Sequence, residues 1–262
     1  MDKTIRLGKT SEIILKQKVN KNPTVIDGFP SIGFVGTIAA RYLVEELNMK
    51  LIGYIESDKI PSVAIVHKSK PCPPIRIYKK GDLIIVLSEL IIPLQFTHDF
   101  SKILIKWFNE IKPREVISLV GISSDPLPLK IINPPSIQQD YEEHHVYGIA
   151  TDEKLNKKLE KLKVNIIREG TITGASSTIL LGCIENDIPA VTLMSEAHFV
   201  PDPLASAAVL NVLNEYLNLN VDVKKLVEQG KKVESQFKVL FQELKKGKSG
   251  YTKMEKLSPM YG

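Results

Sequence analysis

Cysteine is scarce in this chain of 262 residues: only Cys72 and Cys183 occur, far apart and in no CxxC pair. That usage suits a reducing cytoplasm, with both thiols read as packing residues, and leaves the fold to be held by a core rather than by disulfides. Long apolar runs are also lacking. The nearest approach, residues 83–94, is interrupted by Ser88, Glu89 and Pro93, and a spanning helix needs about 20 apolar residues, so no membrane association is expected. Asp2 and the lack of an apolar h-region make residues 1–10 unlike a secretory signal. Histidine is sparse, at five residues, which limits the metal sites open to consideration, and no internal repeat is evident.

What is there is the composition of an ordinary globular protein, 43% hydrophobic and 25% charged. By size scaling the unfolded chain exposes roughly 42,000 Å² and the folded one about 11,500 Å², enough burial for a self-sufficient core. The net charge of +5 invites a nucleic-acid reading, but its distribution opposes one. Lys245, Lys246, Lys248, Lys253 and Lys256 against Glu255 give the last 18 residues +4, which leaves the other 244 at about +1. A phosphate-tracking surface would carry its cations on a folded face interleaved with aromatics. No nucleic-acid partner is expected.

Periodicity gives a strand-helix alternation. Strands are expected at 13–19, 24–27, 51–56, 62–67, 75–79, 83–87, 115–120, near Val146, at 164–168 and at 190–194. Helices are expected at 35–47, 98–111, 152–162, 174–185 and 203–217. The apolar run at 83–87 suits a strand covered on both faces. Between residues 123 and 135 four prolines forbid a helix, so that stretch is read as a surface loop. The fold class expected is therefore α/β, a single domain over residues 1–221 with a largely buried mixed or parallel sheet flanked by helices. From Val223 the apolar positions Leu226, Gly230, Val233, Phe237, Leu240 and Leu244 follow a heptad seam, with Asp222 placed to cap the start. Residues 222–244 thus read as a C-terminal helix packing on the core or between subunits, and 245–262 as a flexible basic tail.

Two glycine turns draw attention. From Gly28 the sequence GFPSIGFVG, with Gly33 and Gly36, joins a strand to a helix, where backbone amides could cradle a phosphate. Phe34 and Val35 stand where a P-loop needs Lys and Ser or Thr, and Pro30 stands where the dinucleotide fingerprint needs glycine. Close strand-helix approach explains these glycines more simply. From Gly170 the run GTITGASSTILLG carries Gly174 and hydroxyls at Thr171, Thr173, Ser176, Ser177 and Thr178. It lacks the GxSxG of a nucleophile elbow, and helix capping accounts for the hydroxyls. Glu142, Glu143, His144 and His145 have metal-ligand chemistry at a spacing that makes at most half a site, so no metal is expected. Glu196 and His198 follow a strand end, where proton transfer would need a pocket and a third partner. No catalytic residue and no cofactor is assigned.

Taken together, GFPSIGFVG, GTITGASSTILLG and PDPLASAAVLNVLNEY from Pro201 resemble the archaeal branch of the proteasome-assembly-chaperone family, relatives of its second chaperone type. The resemblance spans roughly residues 13–244. It implies a phosphorylase-like α/β fold without known catalytic activity, assembled into small homo-oligomers, with architectural roles for Gly28, Gly33, Gly36, Gly170 and Gly174.

The sequence ends Met260, Tyr261, Gly262. This hydrophobic–tyrosine–any pattern is similar to the motif by which proteasome activators dock into pockets between outer-ring subunits of the core particle. A tyrosine supplies an apolar face and one hydroxyl, and a terminal carboxylate can pair with a pocket cation, by resemblance a ring lysine. An 18-residue tail reaches roughly 22–25 Å on average, and several tails on one oligomer gain from avidity. The expected function is a cytoplasmic, non-enzymatic proteasome core-particle binder, an ATP-independent activator or an assembly chaperone. One alternative is an α/β enzyme holding a phosphate-bearing ligand at the turn from Gly28 to Gly36; another is a chaperone that grips its partners through its body.

Overall fold

The computed structural model describes residues 3–7, 10–123, 144–198 and 201–228. The chain opens with strands β1 (Lys3–Leu7), β2 (Ser11–Leu15) and β3 (Thr24–Gly28). A 3-10 turn (Ile32–Phe34) leads into helix α1 (Val35–Glu46), and strands β4 (Lys50–Ser57), β5 (Ile65–His67), β6 (Lys70–Cys72), β7 (Ile75–Lys80) and β8 (Leu83–Ser88) follow. Helix α2 (Leu94–Ile111), strand β9 (Glu115–Ser123), strand β10 (Val146–Ala150), helix α3 (Glu153–Lys161) and strand β11 (Asn165–Ile166) come next. Helix α4 (Ala175–Glu185), strand β12 (Ala190–Ala197) and helix α5 (Pro203–Leu217) complete the series.

Ten strands form one mixed sheet in the order β1-β2-β4-β7-β8-β3-β9-β12-β10-β11, while β5 and β6 form a separate hairpin. The centre is parallel: β3 pairs with β8 and β9, and β9 with β12. These strands are the near-continuous apolar runs, as burial on both faces requires; all five residues of β3 are buried. Antiparallel strands extend the sheet on both sides. The α/β class and the mixed, helix-flanked sheet are as the sequence leads one to expect.

Side-chain alternation along β3 sends Ile26 to one core and Val25 to the other. The first core lies under α1 and α5, where Ala205, Ala207 and Ala208 bring α5 close to its neighbours. The second lies under α2 and α4 and is built on Phe96, Phe100, Trp107 and Phe108, with Phe29 edge-on to Phe100 at 5.0 Å. Aromatic burial of this size dominates the stability of that face. The chain beyond α5 joins the first core through Val221, Val223, Leu226 and Val227. Tyr42 Oη donates to the Asp222 carbonyl at 2.5 Å, and Asp222 Oδ1 accepts from the Lys224 amide at 3.0 Å. Most of the heptad seam, together with Met260, Tyr261 and Gly262, lies outside the described residues. Among the described residues no helix is long and apolar enough to cross a membrane.

Several boundaries differ from the sequence reading. Helix α2 starts four residues earlier, at Leu94, because Pro93 takes the N-cap position and its carbonyl accepts from the Phe96 and Thr97 amides. Strand β12 runs on to Ala197, since Ser195 and Glu196 keep register with Gly121 and Ile122. The strand expected at 62–67 shrinks to Ile65–His67. Strands β1 and β6 are additional, both short and charged. At α4 the expected hydroxyl caps are not made: Gly174 occupies the N-cap without a side-chain bond, while Ser177 and Thr178 donate back to the Gly174 and Ala175 carbonyls.

Candidate functional site

The carboxyl ends of the parallel strands converge where β3 lies between β8 and β9, the position at which open α/β sheets commonly bind ligands. The turn from Gly28 fills this place with its own backbone. A Cβ on Gly28 would sit 2.2 Å from Ala40 Cβ, and one on Gly36 would sit 2.2 Å from the Leu119 carbonyl oxygen. Both separations are inside any real contact, so helix α1 lies directly against the sheet. Gly33 has φ +65 and faces Ala197 and Asp202. Gly170 has ordinary space around it, and Gly174 has φ +84 in open surroundings.

Hydrogen bonds weld the turn to its neighbours. Ser31 Oγ accepts from the Gly121 amide at 2.8 Å, and the Gly33 carbonyl accepts from the Asp202 amide at 2.8 Å. Asp202 caps α5 by accepting from the Ala205 amide at 3.0 Å, and its other oxygen accepts from the His198 amide at 3.2 Å. Thr37 Oγ1 donates to the Ser88 carbonyl. Val35, Gly36 and Thr37, the first turn of α1, are buried. The amides that a phosphate would need are thus packed into the protein.

Of the other candidates, Glu196 accepts from Tyr147 Oη at 2.9 Å, a partner whose distant position in the sequence gave no sign of the contact; the carboxylate raises the tyrosine's pKa. His198 enters the geometry through its backbone amide. His144 and His145 precede β10, while Glu142 and Glu143 lie outside the described residues. Among the described residues no group of three or more His, Cys, Asp or Glu could hold a metal. A cleft near β2 and β4 is lined by Glu12, Glu56 and Asp58 against Arg6, an acidic setting that disfavours a phosphate.

A second polar cluster brings together residues that sequence reading did not associate. Glu89, just beyond β8, pairs with the Arg76 guanidinium, with Arg41 Nη1 at 2.8 Å and with His67 Nε2 at 2.7 Å. Arg41 Nη2 lies 3.2 Å from His67 Nδ1. Arg76 Nη2 likewise lies 3.2 Å from His67 Nε2, so guanidinium donors face both ring nitrogens and oppose protonation of the ring. Burial, then Arg41 and Arg76, hold the His67 pKa below its usual value. Arg76 also donates to Cys72 Sγ at 2.6 Å. Three segments are pinned here: the β5-β6 hairpin, α1 and the start of the β8-α2 loop.

A third feature is deeply buried. Asp27 is fully enclosed, accepts from Ser118 Oγ at 2.5 Å, and has its second oxygen without a partner among the described residues. Desolvation outweighs that hydrogen bond and raises its pKa to about 7.

Comparison with known proteins adds context to this geometry. The PAC2 family model matches residues 25–240. An uncharacterized protein of Methanocaldococcus jannaschii is 32% identical over 252 residues, covering 95% of this chain and 98% of that one. The crystal structure of Pyrococcus furiosus PbaA, described as an archaeal homolog of proteasome-assembly chaperone, aligns with a TM-score of 0.76 at 31% identity, covering 95% of this chain and 99% of that one. Pyrococcus furiosus PbaB, described as an archaeal proteasome activator, aligns with a TM-score of 0.72 at 24% identity over 88% of this chain and 99% of its own, a likeness of fold.

Proposed function

The chain belongs to the PAC2 family, and from that premise we propose that it is a non-enzymatic, homo-oligomeric protein of the cytoplasm that binds the proteasome core particle. The observation that carries this reading is its similarity to PbaA along nearly the whole length of both chains, joined to the Met260, Tyr261 and Gly262 ending of the sequence. Docking places the Tyr261 ring in an apolar pocket between outer-ring subunits and pairs the Gly262 carboxylate with a cation there. The lysine-rich residues 245–262 act as a tether, and several tethers on one oligomer multiply a weak contact. Gate opening then requires tails that bind the open ring more tightly than the closed one. The same docking serves ring assembly, and a long tether favours the activator role.

The packing of the glycine turns supports an architectural role for Gly28, Gly33 and Gly36. The buried first turn of α1 weighs against the enzyme alternative, which placed its ligand at the turn from Gly28 to Gly36. Binding of the full chain to immobilised archaeal core particle tests the proposal. Tyr261→Ala and a chain ending at Pro259 should each weaken binding at least tenfold, and intact mass of the natural protein checks that Gly262 carries the free carboxylate. Undiminished binding by both variants would assign recognition to the body instead.

A further inference from the structure

The β5-β6 hairpin stands outside the ten-stranded sheet, and neither Ile65 nor Val66 belongs to either apolar core. Its register pairs Ile65 with Cys72 and His67 with Lys70. Directly opposed residues share a face and alternate residues repeat it, so these four side chains lie on one side of the hairpin. That side turns towards the body: Cys72 Sγ meets Arg76 Nη1 at 2.6 Å, and His67 meets both Glu89 and Arg41. Val66 and Pro71 take the other side, where Val66 is 66% exposed. Polar contacts therefore fasten the hairpin, and His67 stands among them.

Every segment packed round His67 brings ionisable groups to it. Helix α1 brings Arg41, whose Nη2 lies 3.2 Å from Nδ1 and whose Nε pairs with Glu45 at 3.3 Å. Strand β7 brings Arg76, 3.2 Å from Nε2, and Tyr78 beneath that guanidinium. The β8-α2 loop brings Glu89, whose Oε2 lies 2.7 Å from Nε2. The hairpin itself carries Lys68, Lys70 and the Cys72 thiol. With the ring neutral, Arg41 and Arg76 balance Glu45 and Glu89. A proton on the ring adds a charge that these two carboxylates do not balance, and the Glu89 oxygen nearest to it already accepts from Arg76. The His67 side chain is 29% exposed, so water screens the added charge only in part.

We propose that His67 is a pH-sensitive latch: with its ring neutral it holds the hairpin against α1 and β7, and with its ring protonated it lets the hairpin go. The sign follows from the cluster. Burial, then Arg41 and Arg76, lower the affinity of the docked ring for a proton, whereas release exposes His67 to water, where its pKa is about 6.5. Docking is at full strength above that value and weakens as pH falls below it. A detached two-stranded hairpin is marginal in water, so release melts it.

Hydrogen exchange of the full chain at pH 7.5 and pH 5.0, expressed as protection factors, tests the latch. Protection at residues 65–70 should fall severalfold at pH 5.0, while that of β3 and β9 does not fall. His67→Gln, neutral at both values, should abolish this pH dependence, and His67→Lys, charged at both, should leave the hairpin unprotected at both. In the wild type the pH midpoint of the fall should coincide with titration of the His67 ring followed by NMR, a readout that stands even where a variant loses the hairpin altogether. A fall that persists in His67→Gln would assign the response to another group, and a hairpin that stays protected while the ring titrates would show that His67 does not fasten it. Either result would overturn the inference.

Discussion

At the scale of single residues, two positions report most directly on how the fold is held. Asp27 is an acid placed where an apolar residue would serve stability better. With its pKa raised to about 7 against about 3.9 in an unfolded chain, the folded state keeps a proton that the unfolded state releases. Stability therefore falls as pH rises from about 4 to 7, by up to about 4 kcal/mol from this group, and is flat above. Asp27→Asn should flatten that slope and be the more stable protein at pH 8, as urea titrations across this range would show; an unchanged slope would mean that Asp27 is solvated or partnered. Gly121 is equally constrained: a Cβ there would lie 1.8 Å from the Ile32 carbonyl oxygen. Gly121→Ala forces the turn away from β9 and should cost about 2–4 kcal/mol, read from the urea midpoint, whereas a cost below about 0.5 kcal/mol would show that the turn moves freely.

At the scale of elements, the hairpin, α1 and the β8-α2 loop behave as one unit because Glu89 answers two guanidinium groups. Arg76 is 2% exposed and the Glu89 side chain 11%, so Glu89→Ala leaves a buried cation without its anion. That should cost about 3–5 kcal/mol and release the hairpin, visible as lost hydrogen-exchange protection at residues 65–72 ahead of the sheet; retained protection there would place the anchor elsewhere. What the sequence made legible follows the same division. The apolar runs of β3, β8 and β9 and the helix from Pro203 to Leu217 are local patterns, and they are found where expected. Strand β6, with Pro71 at its middle, carries no periodicity, and its pairing depends on a turn at Lys68 and Ser69 that is neither Asn-Gly nor Asp-Gly. The start of α2 lies beyond the reach of periodicity, because Pro93, noted only as an interruption of the apolar run, is the residue that caps the helix. The Glu89 cluster joins residues up to 48 positions apart, and no spacing in one sequence announces such a contact. Tyr147 beside Glu196 was hidden for the same reason.

At the scale of the whole molecule, a PAC2-family body with two packed cores belongs to a sequence whose last printed residues, Met260, Tyr261 and Gly262, have the pattern of a docking peptide. In the proposed function the body supplies valency and Met260, Tyr261 and Gly262 supply the contact, so loss of either should abolish any effect on the core particle at micromolar protein. The architecture was readable from the order of its glycine-rich blocks and the strand-helix alternation, because burial on both faces of the central strands imposes those patterns. The proposed docking belongs to chemistry between molecules. The most direct test is hydrolysis of a fluorogenic peptide by archaeal core particle without ATP, with wild-type protein, Tyr261→Ala and the chain ending at Pro259. The account predicts severalfold activation by the wild type and none by either variant. Equal behaviour of all three, with no binding by any of them, would contradict it.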